Sequence, residues 1–504
     1  MRAKKTAINT LFGILMQVVT VLLNLVSKRI FVDILGGEIY GLNSLFNTII
    51  IMLSLTELGI GMAITYSLYK PLAENNQKQI SALMTLYKKI YRYIALIVFV
   101  IGMLLIPFLR FFIKENYPTP FLAKIFVPLV LSASVSYLMS YKKTLLIADQ
   151  KGYVVTIVRT IYLIALHTTQ IVILLLTHSF VAYLLAKVVL DFLDSYICYK
   201  ICDRHYPFQK NANEQVSTED KKLIVQKVKA LVYHRVGIYL INGTDSIIIT
   251  KFLGTVINGY YSNYMLIINT VTELLNQFAN GLTASMGNLV ASESKERVFD
   301  VFKRVLLFNY FLVSFCATCF AVLINPFISI WMGPDVLLDK YTVAVLITNF
   351  YISTFSYTIG SLRASAGIFE PDKYLHVVLA VVNLVVSVAL VKQIGIVGVF
   401  IGTLICLIIK EIIALPYIMG KHFFKTSAVG YYKRFVLYAV CTAAIVAVTM
   451  LVSSFVNLEN AYIAFIAKVV ICLTVPNIIN LMLFFKTREF KELCSYFFSL
   501  IKTK

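Results

Sequence analysis

Apolar runs of roughly 20 residues, each closed by a polar or basic cluster, recur along the chain and predict a succession of membrane-crossing helices. Fourteen segments can be placed, at approximately 8–34, 42–69, 90–113, 121–147, 153–177, 180–201, 230–252, 258–290, 304–331, 341–366, 373–393, 396–419, 434–456 and 461–485. A Gly-rich turn, Leu35 to Gly41, is expected between the first two, and Pro71 is expected to end the second. The stretch from Cys202 to Lys229 is the longest polar interruption and reads as a linker between halves. The run after Lys486 is basic and aromatic; it is either an amphipathic helix on the inner membrane surface or a frayed tail.

Polar residues inside the apolar runs fall on faces. In the first helix Thr10, Gly13, Gln17, Thr20, Asn24 and Ser27 recur at spacings of three and four, and Lys28 joins that stripe. Arg29 and Asp33 sit four apart on another side, placed to pair with each other. The second helix carries one acid, Glu57. Helix 7 groups Arg235 and Asn242 with Asp245 and Ser246, and helix 8 aligns Asn263, Thr270, Glu273 and Gln277. Such faces line a water-filled cavity or pack against neighbouring helices. Arg159, Arg235 and Arg363 all fall in the cytoplasmic third of their helices. Gathered in one cavity they would suit an anionic, phosphate-bearing ligand, because guanidinium forks phosphate bidentately. The alternative is that each snorkels to the inner headgroups. Lys187 and Asp191, four apart, read as a structural pair; Lys410 and Glu411 join no evident constellation.

One pattern repeats. Leu35-Gly36-x-x-Ile39-x-Gly41-x-x-Ser44 returns 218 residues later (253 less 35) as Leu253-Gly254-x-x-Ile257-x-Gly259-x-x-Ser262. An acid-bearing helix follows each copy, with Glu57 after the first and Glu273 after the second. Pro107-Phe108-Leu109 and Pro326-Phe327-Ile328 echo each other at nearly the same shift. A duplicated half is the simplest source, and transporters are often built that way.

Composition narrows the class. At 59% hydrophobic and 14% charged over 504 residues, the chain is too apolar for a soluble domain, which is about 45–50% apolar and 25% charged. The net charge of +21 would suggest nucleic acid in a soluble protein, but here its placement excludes that partner. Lys and Arg favour one set of loop ends by about 32 to about 6, which puts both termini in the cytoplasm. The outer loops are short, which argues against an enzyme with an external catalytic domain. No phosphate-binding loop, nucleophile triad or metal motif occurs, and Cys316-x-x-Cys319 has no second pair to complete a zinc site. No cofactor is expected beyond a coupling proton or sodium ion.

Further residues carry a family resemblance. Arg29, Leu35-Gly36, Tyr40-Gly41-Leu42 and Glu57-Leu58-Gly59-Ile60-Gly61 are followed by Ser67-Leu68-Tyr69-Lys70-Pro71 and Ala148-Asp149-Gln150-Lys151-Gly152-Tyr153. Later come Tyr261-Ser262-Asn263-Tyr264, Trp331-Met332-Gly333, Arg363 with Gly367, and Asp372-Lys373-Tyr374. In order and spacing the chain resembles the Wzx-type polysaccharide flippases of the multidrug/oligosaccharidyl-lipid/polysaccharide (MOP) exporter superfamily. The resemblance implies an all-α membrane protein with 14 helices in two pseudo-symmetric six-helix lobes plus a final pair. The lobes would be 1–205 and 230–420, joined by a linker at 206–229 and followed by helices 13–14 and a basic tail at 421–504. It implies alternating access in the bacterial cytoplasmic membrane, moving an undecaprenyl-pyrophosphate-linked oligosaccharide outward for surface polysaccharide synthesis. Polymerase and glycosyltransferases would be partners, and the flippase itself a monomer. Carried over by position, Arg29, Glu57, Asp245 and Arg363 become leading candidates. The combined expectation is that Lys28, Arg29, Arg159, Arg235 and Arg363 bind substrate, while Glu57, Asp245 and Glu273 couple to ions. The alternatives are a drug/cation antiporter of the same fold, which would want an acidic cavity, and a lipid II flippase.

Overall fold

The computed structural model describes residues 2–54, 60–209, 216, 243–368, 370–372 and 374–502. Among them the chain is helical throughout, with no strand. It divides into two compact units, unit 1 (Met1–Gly259) and unit 2 (Tyr260–Lys504). Unit 1 holds α1 (Arg2–Leu53), α2 (Ile60–Ala73), α3 (Gln77–Leu105), α4 (Thr119–Ala148), α5 (Gly152–Thr177), α6 (Phe180–His205) and α7 (243–252). α8 (Thr255–Ser292) starts in unit 1 and runs on into unit 2, where α9 (Lys295–Met332), α10 (Lys340–Phe355), α11 (Tyr357–Ala366), α12 (Leu375–Ile394) and α13 (Ile396–Leu407) follow. A π-helical turn, Ile408–Ala414, leads to α14 (Leu415–Met419), then α15 (Val429–Ser454), α16 (Ala461–Phe484) and α17 (Arg488–Lys502).

Nine helices among the described residues are long and apolar enough to cross a membrane. In seven of these nine less than half of the apolar window is buried inside the protein, which leaves most of that surface outward, as lipid contact requires. In unit 1 one buried cluster centres on Tyr87, Tyr91, Tyr141 and Leu145 of α3 and α4. A second joins Leu42, Leu45 and Phe46 of α1 to Phe126 of α4. In unit 2 the Tyr310 ring stacks on Tyr438 at 4.4 Å, and its hydroxyl donates to Asn480 at 2.8 Å. In lipid such contacts act through close packing and hydrogen bonding rather than withdrawal from water.

Several helices depart from their predicted limits. α3 begins at Gln77 rather than near 90, because Asn76 caps it through the Gln79 N–H and the extra turns bury Ile80, Leu83 and Met84. α9 likewise starts at Lys295, behind the Ser294 cap, rather than near 304. Pro71 does not end α2 but lies inside its last turn. The second predicted helix, 42–69, is divided between the end of α1 and α2, and the intervening residues, Glu57 included, lie outside the described residues. Pro107 opens a 3-10 turn, Ile106–Phe112, whereas Pro326 stays inside α9, so the proline echo has no common local structure. The tail is a helix packed on its surroundings: Arg434 reaches Glu489 at 2.9 Å, Arg304 reaches Glu492 at 3.6 Å, and Phe490 packs on Phe311.

The glycine repeat has a common structure. The expected seven-residue turn is a break at one residue, Gly36, with φ 87° and ψ 157°. Its counterpart Gly254, between α7 and α8, has φ 107°. Both lie in the positive-φ region that glycine alone enters without steric cost. The copies also touch. A Cβ on Gly41 would lie 1.8 Å from the Thr255 carbonyl oxygen, and one on Gly259 would lie 2.6 Å from that of Gly37. Positions 37 and 255, like 41 and 259, correspond in the repeat, so the contact is reciprocal. Asn258 Nδ2 donates to the Gly41 carbonyl at 2.9 Å, and the Thr255 N–H donates to Glu115 at 2.8 Å.

Candidate functional site

The polar stripe of α1 opens onto a chamber of about 370 Å³ inside unit 1. Before the Gly36 break α1 supplies Asn24, Ser27 and Lys28; after it the same helix returns Tyr40, Asn43 and Asn47. The break therefore lets one stretch of chain line the chamber twice. α5 adds His167 and Gln170, and α6 adds Tyr183 and Lys187. Among the described residues the lining holds two lysines and no carboxylate.

Lys28 is 4% exposed, and its ammonium lies 4.4 Å from the centre of the Tyr40 ring, an aromatic face that favours a cation. Lys187 bonds Asp191 at 2.6 Å and Ser132 at 3.1 Å. Asp191 also accepts from the Ser132 and Tyr162 hydroxyls, so three donors hold this buried carboxylate. The predicted Lys187–Asp191 pair is present, and Lys187 also faces the chamber, a role its spacing gave no sign of. His167 Nδ1 is buried with no hydrogen-bond partner among the described residues.

The other predicted residues are dispersed. Arg29 Nε pairs with Asp33 at 2.8 Å and is not among the residues that line the chamber, whereas Lys28, the residue that helical geometry puts on the polar stripe, is. Arg159 does not reach the chamber either. It is exposed, with its guanidinium 4.6 Å above the Tyr162 ring, an aromatic face that favours a cation. Asp245 is buried in unit 1, and Glu273 is exposed in unit 2. Arg235 and Glu57 lie outside the described residues.

Arg363, near the end of α11 in unit 2, is 6% exposed. It donates through Nη2 to Asp372 at 2.5 Å and through Nε to the Ile368 carbonyl at 2.8 Å. At the α4–α5 corner of unit 1, Asp149 accepts from Lys151 at 2.8 Å and from the Tyr206 hydroxyl. Partial burial works against that carboxylate, but these two donors and the Lys151 charge hold its pKa below the ordinary value.

An all-helical chain with many lipid-facing helices, an internal repeat and a polar chamber within a unit has the build of a membrane transporter. Solved structures share the fold. The lipid II flippase MurJ in an inward closed conformation superposes with a TM-score of 0.68 at 13% identity, covering 94% of this chain and 99% of that one. An inward-facing multidrug resistance MATE family transporter of the MOP superfamily gives a TM-score of 0.65 at 12% identity, covering 80% of this chain and 94% of that one. An outward-facing MATE transporter gives 0.54 at 14% identity, covering 81% and 94%. The protein is thus a multi-pass membrane protein with the MOP-superfamily fold. It belongs to the polysaccharide biosynthesis protein family, whose model matches residues 7–282, more than half of the chain. No curated protein sequence matches it.

Proposed function

We propose that this protein flips undecaprenyl-pyrophosphate-linked oligosaccharide repeat units from the inner to the outer leaflet of the bacterial cytoplasmic membrane, by alternating access, for surface polysaccharide synthesis. The observation that supports this reading is the chamber lining, where Lys28 and Lys187 are the charged side chains among the described residues. A cationic drug would meet the Lys28 ammonium there and a Lys187 already paired with Asp191, whereas a phosphate-bearing headgroup would recover from these ammonium groups part of the hydration it loses on leaving water. The four carboxamides Asn24, Asn43, Asn47 and Gln170 both donate and accept, as sugar hydroxyls need. Fourteen membrane-spanning helices with both termini in the cytoplasm complete the proposal. Lys28, Arg29, Arg159, Arg235 and Arg363 serve as cationic stations at different depths, and Glu57, Asp245 and Glu273 as carriers of a coupling proton or sodium ion.

The test is complementation of a strain lacking its own Wzx-type flippase. Wild-type protein is expected to restore surface polysaccharide. Lys28→Met, which keeps most of the stem and removes the charge, is expected to cut export by about tenfold or more while membrane insertion stays normal. Rescue of peptidoglycan synthesis instead, or drug efflux without polysaccharide export, would overturn the reading.

A further inference from the structure

Lys410 and Glu411 gain in the structure the constellation that their sequence context lacks. They lie on the π-helical turn between α13 and α14. Adjacent side chains on a regular α-helix do not face each other. On this turn they pair, with Lys410 Nζ 2.7 Å from Glu411 Oε1. π-Turns inside helices are rare and are frequent at functional sites. Glu411 also stands close enough to both Arg363 and Asp372 to act on each electrostatically, and Lys410 close enough to Asp372. Two ion pairs, Arg363–Asp372 at 2.5 Å and Lys410–Glu411 at 2.7 Å, thus stand within electrostatic reach of each other in unit 2 and make up a quartet in that sense. It is graded in depth: the Arg363 and Asp372 side chains are 8% and 4% exposed, those of Lys410 and Glu411 22% and 12%.

Stability alone gives weak grounds for such a quartet. Desolvating buried ion pairs costs about as much as their attraction returns, and apolar replacements are often as stable. The pairing is however well suited to exchange. Each carboxylate presents to its cation the same kind of oxygen that a phosphate would, and guanidinium binds either in the same forked geometry. The more exposed pair offers an entry point, and the buried pair a second anchor behind it.

We propose that this quartet is a phosphate-exchange site, in which Arg363 and Lys410 take the phosphates of an anionic headgroup and Asp372 and Glu411 hold those cations until it arrives. The proposal rests on the flippase reading for its natural ligand, a lipid pyrophosphate, and adds Lys410, Asp372 and Glu411 to the site. The carboxylates compete with substrate, so a variant that silences one of them binds phosphate more tightly.

The test uses the purified full-length protein in nanodiscs, with inorganic pyrophosphate as the probe and calorimetry as the readout. Lys410→Ala and Arg363→Lys are expected to weaken binding by about tenfold or more. Asp372→Asn and Glu411→Gln, near-isosteric and uncharged, are expected to tighten it by about tenfold. Unchanged elution and melting profiles identify the variants that remain folded, and the two carboxylate variants carry the test if the cation variants misfold. Wild-type protein that does not bind pyrophosphate, binding indifferent to Lys410→Ala, or weaker binding by folded Glu411→Gln would each overturn the proposal. Export in the complementation strain separates the two readings. Normal export by Lys410→Ala would sink the exchange site and leave the flippase. Pyrophosphate binding with the expected variant pattern, but no export by the wild type, would do the reverse.

Discussion

Asp339 caps α10 and shows what one short side chain does at a membrane boundary. Its carboxylate accepts the Tyr341 and Thr342 N–H groups at 2.9 and 3.0 Å and the Thr342 hydroxyl as well. Burial opposes the charged form, but these donors outweigh it and lower the pKa from its ordinary value. Asp339→Ala is expected to cost about 1 kcal/mol, read as a lower unfolding midpoint in detergent. Because the folded pKa lies below the unfolded value of about 3.9, the stabilisation is complete above that pH and is lost as pH falls through the lower folded value. The midpoints of wild type and Asp339→Ala should therefore differ at pH 7 and converge in acid. A constant gap down to pH 2 would refute the assignment.

At the level of the elements, much was legible in the sequence and the exceptions have physical causes. Helical periodicity placed Lys28 on the stripe that lines the chamber and paired Arg29 with Asp33, because both follow from rotation about a straight helix. Helix starts were missed at Gln77 and Lys295, where the first turns are polar and held by caps, so a hydrophobic window cannot see them. Where the Arg159 guanidinium lies, over the Tyr162 ring, was not legible, because periodicity fixes a direction around the axis but not where a long side chain ends. The Lys410–Glu411 pairing depends on a π-turn that no spacing rule anticipates. The glycine repeat was visible as letters, but its reciprocal contact was not. With the Thr255 carbonyl only 1.8 Å from where a Cβ would sit, Gly41→Ala forces backbone apart. It is expected to destabilise unit 1 by about 1–3 kcal/mol, the cost of overpacking. Gly37→Ala, whose Cβ meets nothing within 4 Å, is the control and should melt close to wild type. Equal melting of all three proteins would contradict the contact.

The whole molecule adds orientation. In the proposed topology basic residues such as Lys295, Lys421 and Lys486 crowd one set of helix ends, and this bias would hold those ends in the cytoplasm. Alkaline phosphatase fused after His178 or Glu459 should be active, because both corners fall on the side poor in Lys and Arg. Green fluorescent protein fused at the C-terminus should fluoresce, and activity in the opposite pattern would invert the proposed topology. Finally, the reciprocal glycine contact ties the ancestry of the chain to its present tolerance for change. After a gene doubles, its two copies ordinarily drift apart at their own pace. Here a side chain gained at position 41 strikes the backbone of the later copy, and one gained at 259 strikes the backbone of the earlier, so neither could diverge alone. That mutual veto would keep this short signature readable long after most of the surrounding kinship had eroded.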